Sequence, residues 1–284
     1  MKILVTGAKG ILGTDLVPVL EGKGHQVTAT DIDELDITAA PQIKEAVRAA
    51  APDLIIDCAA YTQVDKAEEE PHRAFWVNEK GTENIALVCR ESGIDLCYIS
   101  TDYVFNGEKK GPYKPDDKTD PINAYGASKL AGEKAIQKTW DKHYIVRTSW
   151  LYGENGKNFV NTILELAKKQ DEIRVVDDQI GSPTWTVSLG RVIAKLIQTG
   201  KYGTYHVTDE TEGGISWFRF AREIVRLAGS EAKVTPIKTE DMPRPAKRPR
   251  NSVLDVTSTE AAVREKLPHW MTSLEIFISG LRGV

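Results

Sequence analysis

The chain has 284 residues, of which 41% are hydrophobic, 27% charged and 7% aromatic. That is ample apolar material for a sizeable core, and it excludes a disordered tail, a disulfide scaffold, collagen and a coiled coil. Lys and Arg number 37 against 41 Asp and Glu, a formal net charge of -4; the broad positive footprint that a phosphate backbone requires is missing, so no nucleic-acid partner is expected.

The first apolar run, residues 3–5, is far shorter than the roughly 7 to 15 residues of a signal-peptide core, and no later stretch approaches about 18 uninterrupted apolar residues. A cytoplasmic protein without a membrane partner is expected. Cys58, Cys89 and Cys97 are odd in number and lack ligand spacing, so they are expected to be reduced and to hold no metal.

Short apolar, β-branched runs at residues 3–5, 26–30, 54–57, 96–100 and 144–150 read as strands, with helical patterns in the gaps. Their near-continuous apolar character suits a parallel sheet covered on both faces, and the alternation implies right-handed crossovers. Residues 1–150 are therefore expected to form a doubly wound, Rossmann-like α/β domain. Helices at 158–169, 187–198, 216–228 and 270–281, with strands at 173–176 and 204–208, describe a smaller α/β lobe over 151–284. The helix and strand near 186–208 are expected to return to the first domain. Residues 241–250, with three prolines and four basic side chains, form neither helix nor central strand. A second breaker-rich stretch, 106–123, falls between a strand and a helix, where active-site loops of open α/β sheets lie.

Gly7-Ala-Lys-Gly10-Ile11-Leu12-Gly13 follows the first strand and opens a helix. Glycines there permit a tight turn and close backbone approach to a pyrophosphate at the helix N-terminus. Asp31 lies just past the second strand, where a carboxylate accepts hydrogen bonds from an adenosine ribose. Asp33 and Asp36 add negative charge, and no Arg lies between Gly24 and Asp36, which leans toward NADH over NADPH.

Tyr125 and Lys129 are four residues apart, on one face of the helix expected to start there. A phenol with a pKa near 10 exchanges protons poorly at neutral pH, and a neighbouring ammonium lowers that value. Thr101, at the carboxyl end of the fourth strand, offers a hydroxyl to a substrate carbonyl.

The glycine turn, Ser-Thr-Asp-Tyr-Val-Phe at 100–105 and Tyr125-x-x-x-Lys129 together resemble an extended short-chain dehydrogenase/reductase. Further blocks at 57–62, 64–68, 125–133, 147–153, 178–184 and 248–254 resemble the dTDP-4-dehydrorhamnose reductase family from end to end of the chain. The resemblance implies reduction of the C4 ketone of dTDP-4-dehydro-L-rhamnose to dTDP-L-rhamnose, a step of deoxysugar nucleotide biosynthesis for surface polysaccharide, with NADPH or NADH as hydride source. It implies Tyr125 as proton donor, Lys129 as the group that holds the nicotinamide ribose and depresses the Tyr125 pKa, and Thr101 as a group that hydrogen-bonds the reacting oxygen or tunes the tyrosine. The cofactor contacts it implies are Gly7, Gly10, Ile11, Leu12 and Gly13 at the pyrophosphate, Asp31, Asp36 and Ile37 around the adenosine, and Ala59, Ala60, Tyr61 and Thr62 beside the third strand. Substrate contacts would be Thr101, Asp102, Val104 and Trp150, with Arg248 as a clamp for the diphosphate.

Two departures stand out. Position 57 carries Asp where relatives more often have Asn. Some members dimerise through magnesium held by acidic residues, but here Asp15 faces an apolar Val187 at the expected second ligand, so a monomer or a metal-independent homodimer is expected. Two other functions share the fold: a sugar-nucleotide epimerase or dehydratase, and a non-catalytic regulatory subunit. Dehydratases generally need an acid–base pair after the strand-four Thr, and Asp102-Tyr103 favours simple reduction; the intact Thr101, Tyr125 and Lys129 argue against the regulator.

Overall fold

A computed structural model describes residues 1–282 of the chain. Six strands, β1 (Lys2–Thr6), β2 (Gln26–Ala29), β3 (Leu54–Asp57), β4 (Asp95–Thr101), β5 (His143–Thr148) and, later in the chain, β10 (Gly203–His206), form one parallel sheet in the order β10-β5-β4-β3-β1-β2. The central strand β3 is buried at every position, whereas the edge strand β2 has no buried residue. Helices on both faces cause this: with no solvated face, an inner strand has no position that a polar alternation could serve.

Alternate residues of each strand feed the two faces. Ile3, Val5, Leu54, Ile56, Cys97 and Ile99 pack under α1 (Gly13–Gly22) and α8 (Thr186–Leu196). Leu4, Ile55, Leu96, Tyr98 and Ile145 pack under α2 (Ala40–Ala50), α5 (Thr82–Ser92) and α6 (Ala124–Thr139). The chain reverses its direction of winding between β1 and β3, so the crevice beyond their carboxyl ends is the switch point where such sheets bind ligands.

Before α5 lie two short helices, α3 (Lys66–Glu69) and α4 (Pro71–Phe75), and a π-helical segment over Trp76–Gly81. After β5 the chain leaves the sheet. Pairing ends at Thr101 opposite Thr148, and Trp150 adopts φ +48°, so the strand expected to run to residue 150 stops two residues short. β6 (Leu151–Tyr152) pairs instead with β9 (Thr184–Trp185). The remaining pairs are β7 (Glu172–Val176) with β12 (Lys233–Ile237), and β8 (Ile180–Gly181) with β11 (Ile215–Ser216). Around them pack α7 (Phe159–Lys169), α9 (Trp217–Ala228) and α11 (Trp270–Arg282), while α10 (Thr257–Val263) lies against α8 and β10. α9 shows why: Phe220, Ala221, Ile224 and Val225 recur at helical spacing on one buried stripe. Its start is capped by the Ser216 hydroxyl, which accepts from Arg219 N at 3.0 Å, and its end by Gly229 at φ +65°.

All three cysteines are free, Cys89 and Cys97 within the core. Among the described residues no helix is long and apolar enough to cross a membrane.

Candidate active site

A cleft of about 760 Å³ opens beyond the carboxyl ends of β1, β3 and β4, within the range of small-ligand pockets. Every residue expected at cofactor or substrate lines it except Val104 and Arg248. Val104 is fully buried with Phe105, Tyr113, Leu130 and Leu254, so its side chain turns into the core rather than toward a ligand. Arg248 pairs with Asp65 and donates to Ala246 O at 2.6 Å, so its guanidinium is engaged within the protein.

At one end of the cleft Gly7 sits at φ +65°, and a Cβ on it would fall 2.6 Å from Ala59 N. Only glycine allows β1 to turn here while leaving the backbone bare beside β3. The cradle so formed at the start of α1 fits a dinucleotide pyrophosphate. Asp31 is fixed by Lys9 N and Ile32 N, each 2.8 Å from its carboxylate, at the rim where a ribose hydroxyl would be met. Lys9 Nζ is itself 2.7 Å from Glu34 and 3.6 Å from Asp33.

At the other end stand Thr101, Tyr125 and Lys129. Asn123 starts α6 by accepting from Gly126 N at 2.7 Å. Its Nδ2 also donates to Lys247 O at 2.8 Å, which ties the start of α6 to the proline-rich segment. Gly126 lets the helix press on the carbonyl of Tyr103, which a Cβ would strike. Tyr125 and Lys129 follow one turn apart, both toward the cleft. Thr101 Oγ1 donates to Asp102 Oδ1 at 3.0 Å and accepts from Tyr103 N at 3.1 Å.

The electrostatics differ from the expectation in one respect. Burial, reinforced by the Asp102 carboxyl, pushes the Tyr125 phenol well above its usual range, and Thr101 is the group that draws it back; Lys129 does not pull it down to neutrality. Burial instead lowers Lys129 itself to about 8, against the opposing pull of Asp57. Burial also raises Asp102 to about 7. Tyr125 is thus held as the phenol, which suits donation of a proton to an oxyanion as charge develops on it.

Several cleft residues carry no sequence signal. Trp217, the first residue of α9, stacks on Trp150, and Arg73, Lys157 and Ser149 also line the walls. Asn78, inside the π-helical segment, accepts from Tyr61 N at 2.8 Å and donates to Tyr61 O at 3.1 Å and Ser128 Oγ at 2.9 Å. It joins the cofactor side of the cleft to the helix of Lys129, a use typical of π-helical turns. Asp15 accepts from Thr186 Oγ1, and Glu210, Glu212 and His269 cluster closely enough to hold a metal ion but lie away from the cleft.

The comparisons agree with this geometry. Over 287 residues, covering 99% of this chain and 94% of the relative, the sequence is 44% identical to a dTDP-4-dehydrorhamnose reductase of Streptomyces griseus. The crystal structure of a dTDP-4-dehydrorhamnose reductase from Clostridium acetobutylicum superposes with a TM-score of 0.95 at 44% identity, covering 99% of this chain and 100% of that one. That of the Bacillus anthracis enzyme in complex with NADP also gives 0.95, at 42% identity and the same coverage. The model of the family described as RmlD substrate binding domain matches residues 1–282, and the chain belongs to that family.

Proposed function

We propose that the protein is a dTDP-4-dehydrorhamnose reductase, which converts the C4 ketone of dTDP-4-dehydro-L-rhamnose into the alcohol of dTDP-L-rhamnose. The observation that carries the reading is one cleft with a glycine cradle and Asp31 at one end and Tyr125, Lys129 and Thr101 at the other, in a chain similar over its length to reductases of that name. NADPH or NADH, when bound, supplies the hydride.

The chain's own residues do the rest. Gly7, Gly10 and Gly13, with the N-terminus of α1, take the pyrophosphate, and Asp31 takes a ribose hydroxyl. Ala59 and Tyr61 line the same cleft. Lys129 presents its ammonium to the second ribose. Tyr125 donates its proton to the C4 oxygen as negative charge develops there, and Thr101 hydrogen-bonds the same oxygen once its hydroxyl proton turns from Asp102 Oδ1 toward it. Trp150 and Trp217 give a flat apolar wall on which a deoxysugar packs, with Asp102 available to a sugar hydroxyl. Arg248 stands outside the cleft lining, with its Nη1 held by Asp65 and Ala246 O.

In this reading residues 1–150 form the cofactor domain, joined by α8 and β10, and the rest of 151–284 forms mainly the substrate lobe. The enzyme works in the cytoplasm as a monomer or a metal-independent homodimer. Product analysis tests the assignment: with cofactor deuterated at the transferable position, deuterium is expected at C4 of the rhamnose unit. Turnover without label at C4 would contradict it.

A further inference from the structure

Asp57 ends β3 and is completely buried. In the parallel register it lies between Thr6 of β1 and Tyr98 of β4. Register partners in a parallel sheet project their side chains from the same face, about 4.8 Å apart. Lys129 comes down from α6 onto that face, its Nζ 3.9 Å from the centroid of the Tyr98 ring and its side chain only 2% exposed. A buried carboxyl beside Tyr98 in the sheet and a buried ammonium over its ring therefore share one face, with Lys129 at the cleft wall and Asp57 behind it.

The other partners of each group are neutral or already taken. Asp57 accepts from Thr6 Oγ1 at 2.7 Å, Ala59 N at 3.2 Å and, at a long 3.5 Å, Thr82 Oγ1. Glu133, the acid one turn beyond Lys129, is bound by Arg147 through two hydrogen bonds of 2.9 and 2.7 Å and by Ser100 Oγ at 2.5 Å. Cys58, just past the end of β3, and Cys97 on β4 belong to the opposite face of the sheet, and their thiols, pushed far up by burial, stay uncharged. Tyr98, raised likewise, stays a phenol.

We propose that Asp57 is a positioning residue for Lys129: its carboxylate, held by neutral donors beside Tyr98, keeps the lysine a cation and steadies it toward the cleft. Burial lowers Lys129 and raises Asp57, and in each case the other member of the pair is the largest opposing influence. Each charge sustains the other, as coupled sites in a low dielectric do. The proposal rests on the assignment of Lys129 as the ammonium that holds the cofactor ribose. An Asn at 57 would be isosteric and could still accept from Thr6, so it removes the charge while keeping the local scaffold.

The deciding test uses the protein alone, and a turnover profile with substrate and cofactor accompanies it. Competitive acetylation with limiting acetic anhydride over a range of pH, followed by peptide mass spectrometry, reads the titration of Lys129 directly. The wild-type midpoint is expected near 8, and Asp57→Asn is expected to lower it by about one pH unit or more. The alkaline limb of the kcat profile should move with it. A midpoint that stays in place in the folded variant overturns the proposal, because a purely structural Asp57 would change stability without moving Lys129. If Asp57→Asn does not fold, the reciprocal measurement decides: coupling is symmetric, so Lys129→Met must raise the Asp57 carboxyl titration seen by carbon-13 NMR, and an unmoved Asp57 overturns the proposal. A coupled pair in a protein that reduces no keto sugar would contradict the reductase assignment alone; a reductase with an uncoupled pair would contradict this inference alone.

Discussion

Trp150 and Trp217 lie face to face, with ring centroids 3.4 Å apart and planes 9° apart. The first follows β5 and the second opens α9, so the stack joins the end of the main sheet to the elements packed around β7 and β12. It also explains an otherwise unfavourable backbone. Trp150 is held at φ +48°, costly for a bulky residue, while its indole edge lies where any Cβ on Gly181 would fall. Removing the partner ring with Trp217→Ala should cost about 0.5–1.5 kcal/mol of stability from the lost aromatic pairing and, by leaving Trp150 unsupported in the cleft wall, raise KM for the sugar nucleotide with kcat nearly unchanged. Initial-rate kinetics check this; an unchanged KM would remove the stack from the substrate wall.

Gly126 sets the height of the helix that carries Tyr125 and Lys129. A methyl group there meets the carbonyl of Tyr103, a backbone atom that cannot swing aside. Gly126→Ala should therefore cost about 1–3 kcal/mol of stability by overpacking and lower kcat by as much as about 100-fold through misplacement of Tyr125. Thermal melting and turnover measured together check it. Wild-type kcat with a lowered melting temperature would show that the approach of α6 to Tyr103 is structural only.

Asp209 is 1% exposed, accepts from Trp185 N at 3.2 Å, and is raised to about 7 by burial. In the unfolded chain an Asp titrates near about 3.9. Between those values the folded protein keeps the proton and the unfolded chain does not, so this group makes stability fall as pH rises, until the loss is complete above about 7. Asp209→Asn should abolish that slope and raise stability at pH 8 by up to about 4 kcal/mol, with little gain near pH 4. Denaturant titrations of both proteins at the two pH values check it; an equal difference at each would refute the linkage.

Asp65 staples the proline-rich segment: it pairs with Arg248 and accepts from Ala246 N at 3.2 Å. The Arg248 guanidinium drives its carboxyl below the ordinary range. Asp65→Asn should loosen residues 241–250 and speed tryptic cleavage after Lys247 and Arg250 by about tenfold, the loss of one charge-assisted hydrogen bond. Unchanged cleavage would mean that Asn123, which binds Lys247 O, suffices.

Much of the sheet was legible because inner strands of a parallel sheet have nothing polar to alternate: the buried run Leu54–Asp57 is nearly pure aliphatic sequence. The glycine turn was legible because Gly7 must occupy a backbone region closed to other side chains. Tyr125 and Lys129 share a face by helical period alone. What escaped depends on contacts distant in sequence. The turn at Trp150 answers to Trp217 and Gly181. The π-helical segment answers to Asn78, whose partners Tyr61 and Ser128 lie 17 and 50 residues away. Val104 and Arg248 sit in blocks that resemble the reductase family, yet the direction of each side chain is set by Leu254 and Asp65 from other parts of the chain. The Tyr125 pKa escaped because spacing puts Lys129 on the same helix face but says nothing of the burial and the Asp102 carboxyl that raise the phenol.

Tyr125 is the proton donor on which the keto-sugar reduction depends. The most direct measurement follows loss of reduced-nicotinamide absorbance when the protein meets dTDP-4-dehydrorhamnose, with NADPH and NADH in parallel and Tyr125→Phe beside the wild type. Rapid oxidation by the wild type is expected, and a loss of about 100- to 10,000-fold in Tyr125→Phe with cofactor binding retained. Near-normal turnover in Tyr125→Phe, or no oxidation by a wild-type protein that binds the cofactor, would contradict it.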